Sequence, residues 1–147
     1  MNRKYEFVEG DTITIEGRTL HRIRAIEDIG QVVRKGDLGG YIESEENLSE
    51  NAWVAGDAKV FEDAWVLGIA RVFGNSKVSG NALVSEGAKV SGDAKVFGNA
   101  KVFGNAKVYE DTLVLGNAKV YGNARVYGNA EVAGNAMVYG EALVLGN

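Results

Sequence analysis

The sequence predicts an all-β protein in which a parallel β-helix of about 18 residues per coil follows a small antiparallel β cap. The first observation is that valine occupies every sixth position from Val54 to Val144, sixteen times without a slip. The second is that the position four residues after each valine is always small, and is alanine in all but two repeats. The third is that glycine or glutamate, usually followed by asparagine or aspartate, separates the two. Each six-residue unit is therefore predicted to contain one short strand and one corner.

Side-chain alternation explains this pattern, because successive side chains of a strand point to opposite faces. In the strand at residues 101–103, Val102 then points into the coil, and Lys101 and Phe103 point outward. The corner needs residues that tolerate a positive φ, which glycine does freely and asparagine or aspartate does better than other residues. The pair Gly98-Asn99 is typical of these corners.

The units must stack into coils, because one short strand cannot bury its valine alone. Three units make one coil, and rungs about 4.8 Å apart give about five to six coils, a prism on the order of 27 Å tall from Leu48 to Asn147. Ile42 and Leu48 extend the valine register backwards. The predicted core is a long, thin column of valine and alanine.

The N-terminal segment is predicted to be an antiparallel β cap spanning residues 1–41, and the β-helix then spans residues 42–147. A cap is expected because the first rung of a β-helix otherwise exposes its core side chains and unpaired backbone groups. Strand-like stretches separated by two turns support this prediction. The stretches are residues 5–8, 12–15 and 19–26, with turns at Gly10-Asp11 and Glu16-Gly17.

Composition limits the class of protein. The 147 residues are 46% hydrophobic and include neither cysteine nor proline, which is enough apolar chain for one compact domain without disulfides. No apolar run approaches membrane-spanning length, and the N-terminus lacks the apolar stretch of a signal peptide. We therefore expect a cytoplasmic protein without a membrane partner. The net charge of −4 disfavours general binding to nucleic acid.

The unit Val-x-Gly-Asn-Ala-x, as at residues 96–101, resembles the hexapeptide repeat of the left-handed β-helix proteins, which are best known from bacterial acyltransferases. The resemblance covers about two thirds of the chain and implies a left-handed coil. The segment Gly36–Glu45, which leads into the coil, is similar to the opening of a bacterial and prophage group whose members carry a transferase label. An acyl-CoA-dependent acyltransferase is the function that this resemblance implies.

The coil lacks the residues that such an enzyme would use. Acyltransferases with this repeat typically place a histidine base on a coil or an inserted loop, in a groove between subunits. The only histidine here is His21, in the predicted cap, where we interpret it as an ordinary strand residue. No insertion breaks the register from Val54 to Val144. We therefore expect no catalytic residue and no cofactor, and keep the acyltransferase and a structural spacer as alternatives.

Two further patterns at the corners favour structural roles. The acidic pairs Glu62-Asp63 and Glu110-Asp111 are adjacent, so their side chains diverge and we expect them to be solvated. A series of asparagines also runs up the corners, but its period of six is not the calcium-binding nonapeptide pattern. We expect these side chains to stack on the rung below, without a metal site. They are Asn99, Asn105, Asn117, Asn123, Asn129 and Asn135.

One face of the prism, obtained by taking every eighteenth residue, carries a column of cations beside aromatic rings, and we call it the cationic face. Cations supply charge and tyrosines supply stacking, which favours a small anionic ligand such as a nucleotide. Lysines also recur elsewhere, at Lys59, Lys77 and Lys95, and exposed lysine protects sheet edges, so a solvated face is the competing interpretation. The predicted ligand-binding residues are Arg71, Lys89, Lys107, Tyr109, Arg125 and Tyr127, beside Trp53 and Phe73.

A second face, which we call the aromatic face, carries more apolar surface than a lone monomer leaves in water. We expect this face to be buried against another copy of the chain in a homotrimer. The predicted interface residues are Trp65, Leu67, Leu83, Phe103, Tyr121, Met137 and Tyr139.

The C-terminal unit, residues 142–147, places Leu143 and Leu145 outward and Val144 inward. A bare final rung exposes apolar side chains and unpaired backbone groups, so we expect two trimers to pair end to end or a neighbouring subunit to cover it. The sequence thus predicts a non-catalytic homotrimer that binds or sequesters a small anionic ligand in grooves between its subunits.

Overall fold

A computed structural model describes residues 3–146. Met1, Asn2 and Asn147 lie outside the described residues, so the predicted C-terminal unit is described only as far as Gly146. The described chain contains nineteen strands and one short 3₁₀ helix, Glu45–Asn47. The strands are β1 (Tyr5–Ile15), β2 (Arg18–Ala25), β3 (Leu38–Ile42), β4 (Trp53–Val54), β5 (Lys59–Val60), β6 (Trp65–Val66), β7 (Arg71–Val72), β8 (Lys77–Val78), β9 (Leu83–Val84), β10 (Lys89–Val90), β11 (Lys95–Val96), β12 (Lys101–Val102), β13 (Lys107–Val108), β14 (Leu113–Val114), β15 (Lys119–Val120), β16 (Arg125–Gly128), β17 (Glu131–Val132), β18 (Met137–Val138) and β19 (Leu143–Gly146).

The short strands stack in three parallel sheets, each of which forms one face of a prism. A residue pairs with the residue eighteen positions later, as Val54 pairs with Val72. The cationic face contains β4, β7, β10, β13, β16 and β19, and the aromatic face contains β6, β9, β12, β15 and β18. The third face, which we call the cap face, contains β3, β5, β8, β11, β14 and β17 and continues into β2 and β1. The predicted parallel β-helix with an antiparallel N-terminal cap is confirmed, with about six coils.

The core is a column of small side chains along the axis of the prism. Every repeat valine over the range 54–126 has no exposed surface. Burying a valine fully contributes roughly 1.5–3 kcal/mol, so this column is the main source of stability. The two departures from alanine, Ser76 and Thr112, are also buried, and their hydroxyls donate to the carbonyl oxygens of Phe73 at 2.7 Å and Tyr109 at 2.8 Å.

The stacking of coils explains why glycine dominates the corners. At Gly98, φ is +68°, and a Cβ would lie 3.0 Å from the backbone nitrogen of Gly116 in the next coil. A side chain there meets both an unfavourable left-handed backbone and the corner stacked against it.

Four corners of the described coil nevertheless carry glutamate at this left-handed position. Each of these carboxylates accepts a hydrogen bond from the backbone N–H of the glycine eighteen residues later, at 2.7 or 2.8 Å. Such charge-assisted bonds are stronger than neutral ones, which offsets a backbone cost of roughly 1–2 kcal/mol. The pairs are Glu50 with Gly68, Glu62 with Gly80, Glu86 with Gly104 and Glu110 with Gly128.

The cap is a hairpin that extends the cap face. β2 pairs antiparallel with β3, which in turn pairs in parallel with β5 of the coil. The turn predicted at Glu16-Gly17 is confirmed, because Ile15 pairs with Arg18 and both turn residues have positive φ. This is the geometry that suits a two-residue hairpin.

The turn predicted at Gly10-Asp11 is wrong. β1 continues from Tyr5 to Ile15, and the pairing shifts between Phe7 and Thr12. Gly10 has a φ of +81°, but one left-handed glycine produces a bulge and does not reverse the chain. The two stretches predicted as separate strands are therefore one irregular strand.

Tyr5 fastens the cap to the first coil. Its ring is buried, and its hydroxyl donates to the carbonyl oxygens of Glu45 at 3.1 Å and Leu48 at 3.2 Å. Burial, with a smaller contribution from the negative charge of Glu45, raises the pKa of Tyr5 to about 12.

Gly98→Ala is expected to lower the free energy of unfolding more than Gly134→Ala does. Both residues are left-handed, with φ of +68° and +63°, but a Cβ at position 134 would meet nothing within 4 Å. Each substitution costs roughly 1–2 kcal/mol in backbone strain. The further decrease in the free energy of unfolding at position 98 reflects the contact between the new Cβ and the corner of the next coil. Denaturant unfolding followed by circular dichroism tests this, and equal losses would contradict it.

Tyr5→Phe is expected to flatten the alkaline loss of stability. An unfolded tyrosine has a pKa of about 10, so the folded protein, with a pKa of about 12, holds the proton more tightly. This stabilisation is complete below about pH 10 and is lost as the pH rises to 12, at up to about 1.4 kcal/mol per pH unit. Urea unfolding between pH 7 and 12 should show a smaller slope for Tyr5→Phe than for wild type. Identical slopes would show that Tyr5 ionises freely in the fold.

Candidate functional site

The predicted cations form a physical row on the cationic face. The strand register pairs Arg71 with Lys89, Lys89 with Lys107, and Lys107 with Arg125. Each precedes an inward valine, so its side chain points outward, and none of the four is buried. With rungs about 4.8 Å apart, neighbouring charges repel one another by roughly 1 kcal/mol even in water.

No ion pair between described residues involves this row, although Asp37 lines a depression with Arg71, and Glu141 lines another with Lys107 and Arg125. The ion pairs between described residues all use arginines in the first 34 residues. The corner residues that lie two positions before the four cations are also uncharged. They are Ile69, Gly87, Asn105 and Asn123.

The lysines of the cap face have different surroundings. Lys77 and Lys95 line a depression together with Asp93 and Asp111. Nearby, the ammonium group of Lys59 donates to the carbonyl oxygen of Asp57 at 3.0 Å. The two faces therefore differ in the middle of the cation row. The lining of the depression around Lys89 includes no acidic residue, whereas Asp37 and Glu141 lie beside the two ends of the row.

A column of aromatic rings runs beside the cations, and a serine interrupts it. Phe73, Ser91, Tyr109 and Tyr127 each follow the inward valine of successive coils. The rings of Tyr109 and Tyr127 stack, with centroids 5.1 Å apart and an angle of 4° between their planes. At Ser91 the ring is missing, and a depression of about 330 Å³ lies there. It is lined by Phe73, Lys89, Ser91, Lys107, Tyr109 and Arg125.

The structure brings together four of the six predicted ligand-binding residues in this depression, Lys89, Lys107, Tyr109 and Arg125. Tyr127 lies one rung further along, stacked on Tyr109. Arg71 lines an adjoining depression of about 440 Å³ beside the cap. The sequence interpretation missed Ser91, although a small outward residue between aromatic neighbours was a visible signal.

Trp53 lies on the cationic face as expected, but it is only 4% exposed. The backbone of Gly39 covers it so closely that a Cβ on Gly39 would lie 2.8 Å from the indole Cζ2 atom. Trp53 therefore serves the junction between cap and coil, and only its edge lines the depression next to Arg71.

The residues predicted for a subunit interface share the aromatic face. The Phe103 and Tyr121 rings stack with centroids 4.8 Å apart, and Tyr121 and Tyr139 stack at 5.3 Å. Lys101 and Lys119, which the sequence interpretation omitted, lie in the same sheet. Of the predicted residues, Trp65, Met137 and Tyr139 are exposed, and Leu67, Leu83, Phe103 and Tyr121 are half-buried.

The groups that could support catalysis have structural contacts. His21 lies in β2, where its ring stacks on Phe7 with centroids 4.5 Å apart. The carboxylates of Glu62 and Glu110 accept backbone hydrogen bonds from Gly80 and Gly128, so these side chains are not the purely solvated groups expected from the sequence.

Three of the six asparagines in the predicted series, Asn99, Asn117 and Asn135, stack along one corner as expected. Amide hydrogen bonds of 3.3–3.4 Å run from Asn81 to Asn99, from Asn99 to Asn117, and from Asn117 to Asn135. Within residues 3–146, no cluster of three or more histidine, cysteine, aspartate or glutamate side chains could hold a metal ion.

The fold and one sequence comparison agree on the class of protein. Residues 118–132 match the family described as the YdcK beta solenoid repeat, and the stacked parallel coils make the chain a β-solenoid repeat protein. No curated protein matches the chain. In the part of the chain that the structure describes, no helix combines the length and the apolar character needed to cross a membrane.

Proposed function

We propose that this β-solenoid is a non-catalytic binding protein that holds a small anionic ligand on its cationic face. The observation that carries the proposal is the row of Arg71, Lys89, Lys107 and Arg125, stacked one per coil in strand register. An anion placed between neighbouring cations attracts both of them, and this attraction offsets their mutual repulsion.

The depression at Ser91 supports this proposal. Its volume of about 330 Å³ lies within the usual range of small-molecule sites, roughly 300–1,000 Å³. Three cations and two aromatic rings surround it, and this combination of charge and stacking surface is typical of sites for nucleotides and similar anions.

We further propose that the protein is a homotrimer in which the aromatic face of each subunit packs on the next, so that ligands lie near the grooves between subunits. Trp65, Met137 and Tyr139 are 45%, 57% and 58% exposed. Apolar surface of this kind typically marks an interface, and aromatic residues are enriched at such contacts.

Lys107→Glu/Arg125→Glu is expected to weaken pyrophosphate binding by at least about tenfold, because two cations beside the depression become anions. Isothermal titration calorimetry at low ionic strength is the measurement, and added salt should also weaken wild-type binding. A structural spacer would bind no pyrophosphate in this assay.

The matched control is Lys77→Glu/Lys95→Glu on the cap face, which changes the net charge by the same amount. This variant should bind within about twofold of wild type, because its substitutions lie away from the cation row and a distant charge is screened by salt. Equal losses in the two variants would mean that only the net charge of the protein attracts the anion.

Phe103→Glu is expected to convert trimers to monomers in analytical ultracentrifugation, because a buried charge at an interface lacks a partner. Phe97→Glu, the equivalent substitution on the cap face, should stay trimeric. A trimeric Phe103→Glu variant would contradict the assignment of the aromatic face, and a monomeric wild type would contradict the trimer itself.

A further inference from the structure

The third coil carries serine after each of its three inward valines, at Ser79, Ser85 and Ser91. Equivalent positions in neighbouring coils are mostly aromatic or leucine. The prism therefore has a belt at which the outward position after the valine is small on all three faces.

On the cationic face this belt leaves a gap of defined height. Phe73 and Tyr109 lie one rung to either side of Ser91, and both line the depression there. They are two rungs apart, which is about 9.6 Å. A ring midway between them would lie about 4.8 Å from each, within the range of roughly 4.5–7 Å preferred by aromatic pairs.

The protein itself builds this geometry elsewhere. Phe103, Tyr121 and Tyr139 occupy three successive rungs of the aromatic face, with centroid distances of 4.8 Å and 5.3 Å. A flat ring at the level of Ser91 would make the same three-ring stack with Phe73 and Tyr109.

We propose that the anionic ligand carries a planar aromatic ring, and that this ring occupies the rung left vacant at Ser91, between Phe73 and Tyr109. This inference rests on the proposed function and specifies the chemical class of its ligand. The class is an aromatic ring joined to a phosphate or carboxylate, as in a nucleoside monophosphate.

The neighbouring cations fix where the anionic group lies. Lys89 is two residues before Ser91, and about 6.6 Å separates two such residues in extended backbone. Lys107 occupies the next rung of the same column. A phosphate about that far from the ring would therefore contact both ammonium groups while the ring stays stacked.

The other two positions of the belt differ from Ser91 in their surroundings. Ser79 lies in a depression of about 340 Å³ that Phe61, Phe97, Lys77 and Lys95 also line. Phe61 is only 2% exposed, because it packs with Leu20 and Tyr41 under the cap. The negative charges of Glu16 and Glu62, which line the same depression, oppose an anionic ligand. Ser85 lies between Leu67 and Phe103 and so has a ring on one side alone.

The test compares adenosine 5′-monophosphate with ribose 5-phosphate, which has the same phosphate and sugar but no ring. Stacking on aromatic side chains contributes about 1–3 kcal/mol per base, so wild type should bind adenosine monophosphate at least about fivefold tighter. The adenine ring protons of adenosine monophosphate should also shift upfield in NMR spectra when it binds, since they would lie between the faces of two aromatic side chains.

Ser91→Tyr fills the vacant rung with a side chain that the same column already carries at Tyr109 and Tyr127, so the coil should fold normally. It should remove the fivefold preference and the upfield shifts. Ser79→Tyr, the same substitution on the cap face, should keep both.

The outcomes separate this inference from the proposed function. If wild type binds both ligands equally and Lys107→Glu/Arg125→Glu weakens both, the cationic face binds anions but the ring inference is wrong. A preference that survives Ser91→Tyr would also overturn it. If neither ligand binds, the proposed function and the ring inference fail together.

Discussion

The close stacking of each residue on the residue eighteen positions later is the constraint on which the rest of the structure depends. It buries the valine column, which no single strand of two residues could bury. It also brings corner backbones so close that a Cβ on Gly98 would lie 3.0 Å from the nitrogen of Gly116. Glutamate enters these corners only where its carboxylate bonds to the next one, as Glu110 does with Gly128. Core and corner therefore obey the same register.

Because of this register, side chains at equivalent positions of successive coils stack in columns. Contact between like side chains in a column is favourable for some residue types and unfavourable for others. Amides gain by stacking, because Asn99 donates to Asn117 and accepts from Asn81. Aromatic rings also gain, as the 5.1 Å stack of Tyr109 on Tyr127 shows. A column of cations is destabilised, because neighbouring positive charges repel one another. The row of four cations is thus a surface feature that the fold itself does not favour, and the anionic ligand that we propose would offset its repulsion.

The sequence predicted whatever depends on the register alone. The period of valine identifies the core, and counting by eighteen places Lys89, Lys107 and Arg125 on one face, in agreement with the strand register. Features that depend on the cap could not be read in this way. Trp53 is buried because Gly39, fourteen residues earlier in the chain, covers it, and no repeat pattern encodes that contact. The bulge at Gly10 likewise depends on how β1 pairs with β2.

The serine at position 91 lies between these two cases, because its place was visible in the sequence but its surroundings were not. A small residue in a column of rings leaves a gap, and hydrogen bonds between the rungs set the backbone spacing across that gap. The two-rung spacing between Phe73 and Tyr109 matches the thickness of the one planar ring that we propose. A depression also forms at Ser79, but the cap buries Phe61 there and Glu16 and Glu62 line it. The selectivity that we propose thus requires both a missing side chain and intact, accessible rings on the adjacent rungs.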